Sequence, residues 1–149
     1  MRIHTLTAIV ATTACNAHCP YCVSRMTPAA GVERRPRAIN ERNFRIACRF
    51  AVRSGVSTLL LTGKGEPTLF PKQIVQFTAW GHQHFPFIEL QTNGIRFLED
   101  DLDDDLRTWY DNGMTLISLS IAHPDVERNA EIFRPGRPGD FWAVSDKLR

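Results

Sequence analysis

The sequence predicts an α/β fold, a parallel sheet built from about four βα units, and three observations carry that reading. Strand and helix patterns alternate with short connections along the 149 residues, which is the signature of successive βα units. Val56 to Thr62 is a continuous apolar run, as expected of a parallel strand covered on both faces. Gly55 and Gly113 stand where helix patterns give way to strand patterns, the place of a left-handed helix cap. The length and the 43% hydrophobic content suit a single domain over residues 1–149 with a real core.

Each element has its own reason. The first strand is read over about Thr5 to Thr12. After a Pro- and Arg-bearing loop, Asn40 is placed to cap a helix, with Ile39 and Phe44 as a hydrophobic staple. Phe44, Ala47, Cys48, Ala51 and Val52 then recur at helical spacing and predict its buried face. Val56 to Thr62 is the second strand. Pro71 opens a second helix reaching about His82, and Phe87 to Gln91 is the third strand. Glu99, Asp100, Asp101 and Asp103 crowd the start of a third helix, where the dipole favours negative charge, and Leu98, Leu102, Leu106 and Trp109 supply its buried stripe. Met114 to Ile121 reads as the fourth strand, with Ile117, Leu119 and Ile121 on one face and Ser118 and Ser120 on the other. A last helix is expected over about Asp140 to Leu148.

Composition excludes several classes. Nothing reads as disordered, fibrous or membrane-spanning, and a formal net charge of +2 is too small to argue for nucleic acid from the total. The short Thr-rich apolar run Leu6 to Ala14 fails as an export signal and reads as a buried strand, so cytoplasm is the expected location. Four cysteines, three of them in one loop, fit a reducing compartment better than a disulfide framework.

That loop carries the chemistry. Cys15, Cys19 and Cys22 lie within eight residues at the end of the first strand pattern. Soft thiolates so gathered suit an iron-sulfur cluster or zinc. Three thiolates on a 4Fe-4S cluster leave one iron free to bind something else.

The C-x3-C-x2-C arrangement, with Tyr21 before its last cysteine, resembles the radical S-adenosylmethionine (radical SAM) enzymes. Three later segments strengthen the resemblance in the family's order: Thr62 to Leu69 as its G-x-G-E-P turn, Gln91 to Gly94 as its T-N-G strand end, and Ser118 to Ile121 as the polar end of its fourth strand. Ala122 stands where the family often has an acidic residue. The resemblance implies a partial (β/α) TIM-like barrel of about six units, of which four are read here, leaving the fourth strand as an edge.

It also implies that Cys15, Cys19 and Cys22 hold a 4Fe-4S cluster whose open iron takes the amino and carboxylate groups of S-adenosylmethionine. Reductive cleavage would give methionine and a 5'-deoxyadenosyl radical that abstracts hydrogen from a substrate, with the cofactors supplying the hard step. By the same resemblance Tyr21 packs against the adenine. The turn of Gly63, Gly65, Glu66 and Pro67 offers backbone groups to the methionine amine, and Asn93, Ser118 and Ser120 contact ribose or carboxylate. A reductant such as a ferredoxin or flavodoxin is implied, and a partner chain or self-association could complete the barrel.

Blander readings stand beside these. Zinc held by the three cysteines and His18 is a known ligand set, but adjacent His18 and Cys19 cannot easily reach one ion, and zinc explains none of the later motifs. Cys48 lies on the apolar stripe of the first helix and reads as packing rather than as a ligand. His4, His82, His84 and His123 have no partner spacing. Arg34, Arg35 and Arg37 form a basic loop, and Arg42, Arg45, Arg49 and Arg53 run along one helix. With no aromatic interleaved, the row reads as a solvated face, and no nucleic-acid partner is predicted.

Overall fold

The computed structural model describes residues 3–10, 13–27, 38–99 and 102–134. Four strands, β1 (Thr5–Ile9), β2 (Thr58–Thr62), β3 (Phe87–Thr92) and β4 (Leu116–Leu119), form one parallel sheet in the order β1-β2-β3-β4. Thr5 pairs with Thr58, Thr58 with Phe87, and Glu89 with Leu116. The helices are α1 (Val23–Met26), α2 (Glu41–Arg53), α3 (Pro71–Gly81), α4 (Leu102–Asp111) and α5 (Val126–Phe133). This is an α/β partial barrel of four parallel strands with alternating helices.

The core sits between the sheet and α2, α3 and α4. Leu59, Leu61, Ile88 and Leu90 are fully buried on the helix-facing side, where Ile117 and Leu119 also pack. Strand alternation turns Thr7, Leu60, Glu89, Gln91 and Ser118 to the opposite, open face. Fully buried Leu102 and Trp109, with Leu106 packed beside them, form the predicted stripe of α4. Leu98 also packs on the core, but from a short 3-10 turn, Ile95–Leu98, ahead of that helix.

Local chemistry sets the boundaries. The Asn40 side chain accepts from the Asn43 amide at 2.9 Å and starts α2 as predicted. Gly55 and Gly113 adopt φ of 82° and 97° after α2 and α4, the left-handed region that glycine enters without penalty. β2 and β4 begin later than the sequence suggests, at Thr58 and Leu116 rather than Val56 and Met114, because the residues before them finish the preceding helix, whereas β3 starts at Phe87 as expected and reaches Thr92. Val56 donates to the Ala51 carbonyl and Met114 to the Trp109 carbonyl. β4 correspondingly ends before Ile121, which is 57% exposed rather than on a buried face.

Two helices differ from expectation. Ala47 and Val52 do not belong to the buried face of α2: both are exposed, and Phe44, Cys48 and Ala51 make the inward stripe. Helix α5, capped by Asp125 accepting from the Arg128 amide at 2.9 Å, occupies a stretch where the sequence reading placed no element. The helix expected at Asp140 to Leu148, and Arg34, Arg35 and Arg37, lie outside the described residues, as do Ala11 and Thr12 at the predicted end of the first strand. Among the described residues no helix is long and apolar enough to cross a membrane.

Candidate functional site

The carboxyl ends of parallel strands are where βα folds present their loops, and here all four such ends contribute to one cleft. The cysteine loop follows β1, the Gly63–Pro67 turn follows β2, Asn93 follows β3 and Ser120 follows β4. Together they enclose a cleft of about 210 Å³ onto which Cys15, Cys19 and Cys22 all open. Tyr21, Gly63, Gly65, Glu66, Pro67, Asn93 and Ser120 also line it. Ser118 does not: it sits on the open sheet face, donating to Glu89 Oε1 at 2.6 Å.

Close backbone approach builds the floor. Gly65 lies directly against Ala14, so a Cβ there would collide with the Ala14 carbonyl, and the next amide, Glu66, donates to that same oxygen at 2.8 Å. A Cβ on Gly63 would come within 2.8 Å of the Val10 carbonyl. Only glycine lets the turn lie this flat on the strand beneath it.

Glu66 turns inward and is 3% exposed. Its Oε1 accepts from Thr68 N at 3.0 Å, Thr68 Oγ1 at 2.7 Å and Thr92 Oγ1 at 2.6 Å, while Oε2 accepts from Asn93 N at 2.9 Å. A buried carboxylate with four donors is a satisfied group that ties the turn after β2 to the end of β3. Asn93 extends the tie to the cysteines. Its Nδ2 donates to Asn16 Oδ1 at 2.8 Å and lies 3.8 Å from Cys15 Sγ, and its Oδ1 accepts from Ile95 N at 3.0 Å.

The far side of the loop is strapped by α5. His18 N donates to the Phe133 carbonyl at 2.8 Å, and Cys19 Sγ lies 3.8 Å from the same oxygen. The Phe133 ring meets Tyr21 edge-on, with centroids 6.4 Å apart, leaving Tyr21 half exposed. Asn129 is buried and accepts from the amides of Ala122 and His123, fixing the chain between β4 and α5. Asn129 and Phe133 were missed from sequence, and Asn16, Thr68 and Thr92 lay within the recognised motifs without an assigned role; the Asp125 cap signal could have found α5, but no local pattern marks contacts such as Asn93 to Asn16 or His18 to Phe133, which are distant in the chain.

Burial pushes the Cys15 thiol up against an opposing hydrogen bond from the Ala17 amide. Burial raises Cys19 as well, opposed by the Tyr21 hydroxyl. The donor set fits an iron-sulfur cluster in chemistry, with three thiols of soft sulfur on one cleft. Among the described residues no three His, Cys, Asp or Glu side chains are close enough together to hold one metal ion; a 4Fe-4S cluster would instead take each thiolate on a separate iron, and binding there would remove the thiol protons. His18 is exposed and absent from the cleft lining, and Cys48 is buried under α2.

A family model described as the Radical SAM superfamily matches residues 9–149 of the chain. No curated protein matches it.

Proposed function

The chain belongs to the radical SAM superfamily, and from that membership we propose that it is a radical SAM enzyme. Cys15, Cys19 and Cys22 would hold the 4Fe-4S cluster. Bound there, the cluster supplies one-electron cleavage of S-adenosylmethionine to methionine and a 5'-deoxyadenosyl radical that takes hydrogen from the substrate. A ferredoxin or flavodoxin would supply the electron, and the free thiols favour a reducing, cytoplasmic setting.

The observation that carries this reading is convergence: all three thiols share one cleft with the Gly63–Pro67 turn and Asn93. The chain's own residues orient and enclose. The half-exposed ring of Tyr21 offers a flat face to an adenine. Gly63 and Gly65 keep the turn free of side chains so that backbone groups can reach a methionine amine. Ser120, exposed at the rim, is the stronger candidate for a ribose or carboxylate contact; Ser118 is engaged by Glu89. The side chains of Glu66 and Asn93 support a positioning role, because their polar atoms already tie the loops together.

Electron paramagnetic resonance of the anaerobically reconstituted, reduced protein, with and without S-adenosylmethionine, tests the proposal. A reduced 4Fe-4S signal that changes on addition is the expected result. Zinc without iron or sulfide would overturn it. A second reading is a cluster-binding half-domain that a further chain completes. It rests on β4, which pairs only with β3 among the described residues, and on a hollow of about 320 Å³ lined by Leu106, Trp109, Tyr110, Leu116 and Ile117 at that edge. A cluster signal indifferent to S-adenosylmethionine favours it.

A further inference from the structure

The outward side of α2 has no part in the cysteine cleft. Because α2 runs back from the end of β1 to the start of β2, its last turns lie at the opposite end of the sheet from the thiols. On those turns Ile46, Arg49, Phe50 and Arg53 line a surface hollow of about 280 Å³. Their positions follow i, i+3, i+4 and i+7, the spacing of one helix face. The arginine row reads as a solvated face in the sequence because no aromatic is interleaved with it. Phe50 removes that ground, since its ring is 64% exposed between the two arginines.

Two of the charges are also uncompensated among the described residues. On this helix Arg45 pairs with Glu41 at 2.7 Å and also reaches Gln83. Among the described residues no carboxylate pairs with Arg49 or Arg53. The field extends to His84, whose imidazole is held below its ordinary range by burial and further by Arg45 and Arg49. An exposed flat ring flanked by guanidinium groups is the composition of a single-strand platform, on which a base stacks while cations meet the phosphates. An acidic protein would meet the charges but would leave the ring without a flat partner.

We propose that this face of α2 binds single-stranded nucleic acid, with a base on Phe50 and phosphates at Arg49 and Arg53. The inference does not depend on the cluster, so the metal-free chain tests it. The probe is a fluorescently labelled oligouridine of about twenty nucleotides, enough to span a typical single-strand site, followed by anisotropy over a range of salt. Saturable binding is expected. Phe50→Ala should weaken it about tenfold, the effect of losing one stacked base, while Phe50→Tyr should retain it. The double substitution Arg49→Ala, Arg53→Ala should make the slope of log K against log salt shallower by about 1.4, two phosphate contacts at ~0.7 each. All these side chains point to solvent, and circular dichroism checks that each variant folds. Absence of saturable binding overturns the proposal. So does binding of a polyglutamate peptide as tight as that of the RNA and indifferent to Phe50→Ala, which would assign the face to an acidic protein.

Discussion

The carboxylate of Glu66 accepts four hydrogen bonds from three neighbours with almost no exposure to water. Glu66→Gln puts an amide donor where an oxygen now faces donors, so at least one buried bond is replaced by a clash of like groups. The expected cost is about 1–3 kcal/mol, read as a lower urea midpoint of the metal-free protein; an unchanged midpoint would show that these bonds contribute nothing in solution. Gly65→Ala should lower both stability and iron content, because its methyl group enters the Ala14 carbonyl. Gly55→Ala is the control: the space around it is open, and it pays only the left-handed backbone cost of roughly 1–2 kcal/mol. Cys48 gives a pH signature. Burial raises its thiol from the ordinary 9.0 to about 11. Its contribution to stability is therefore complete below pH 9.0, and it falls as pH rises towards about 11 because the unfolded chain loses that proton first. Urea titrations across this window should show a steeper loss for the native protein than for Cys48→Val.

At the scale of elements, the strap between α5 and the cysteine loop is the contact most open to test. Phe133 is 4% exposed and seats Tyr21. Phe133→Ala should cost about 3–5 kcal/mol and, below the unfolding transition, speed alkylation of Cys19 relative to the native protein, measured by mass spectrometry. Equal labelling rates would mean that the loop does not depend on α5. Much of this level was legible in the sequence. Asn40 with its staple and Gly55 bracket α2, Pro71 opens α3, and the apolar runs mark all four strands, because those signals are local and periodic. Of the residues singled out in the motifs, all but Ser118 line one cleft, as positions at successive strand ends allow. What periodicity could not show is direction. Ala47 and Val52 fit the apolar pattern of α2, yet the sheet reaches only a narrower stripe. Glu66 and Asn93 lie in recognisable motifs, but a bond such as Asn93 to Asn16 spans 77 residues and leaves no trace in local spacing.

For the whole molecule, the governing feature is the sheet's outer side at β4. Among the described residues nothing pairs with the outer edge of β4; Leu116 is 53% exposed and Tyr110 76% exposed beside the hollow there, and an unpaired strand edge with apolar flanks invites pairing. The chain is expected to sediment above monomer mass at micromolar concentration, and Leu116→Lys to return it to monomer; a monomeric native protein would argue against an assembled edge. The strap has a different consequence, in time. Cys19 and Phe133 are 114 residues apart, and synthesis at about 5–20 residues per second separates their emergence from the ribosome by roughly ten seconds. During that interval the three thiols are already made while the segment that fastens their loop is not. If the proposed cluster is delivered to the nascent chain, it would meet a loop not yet tied to α5, whereas delivery after release would meet that loop already tied.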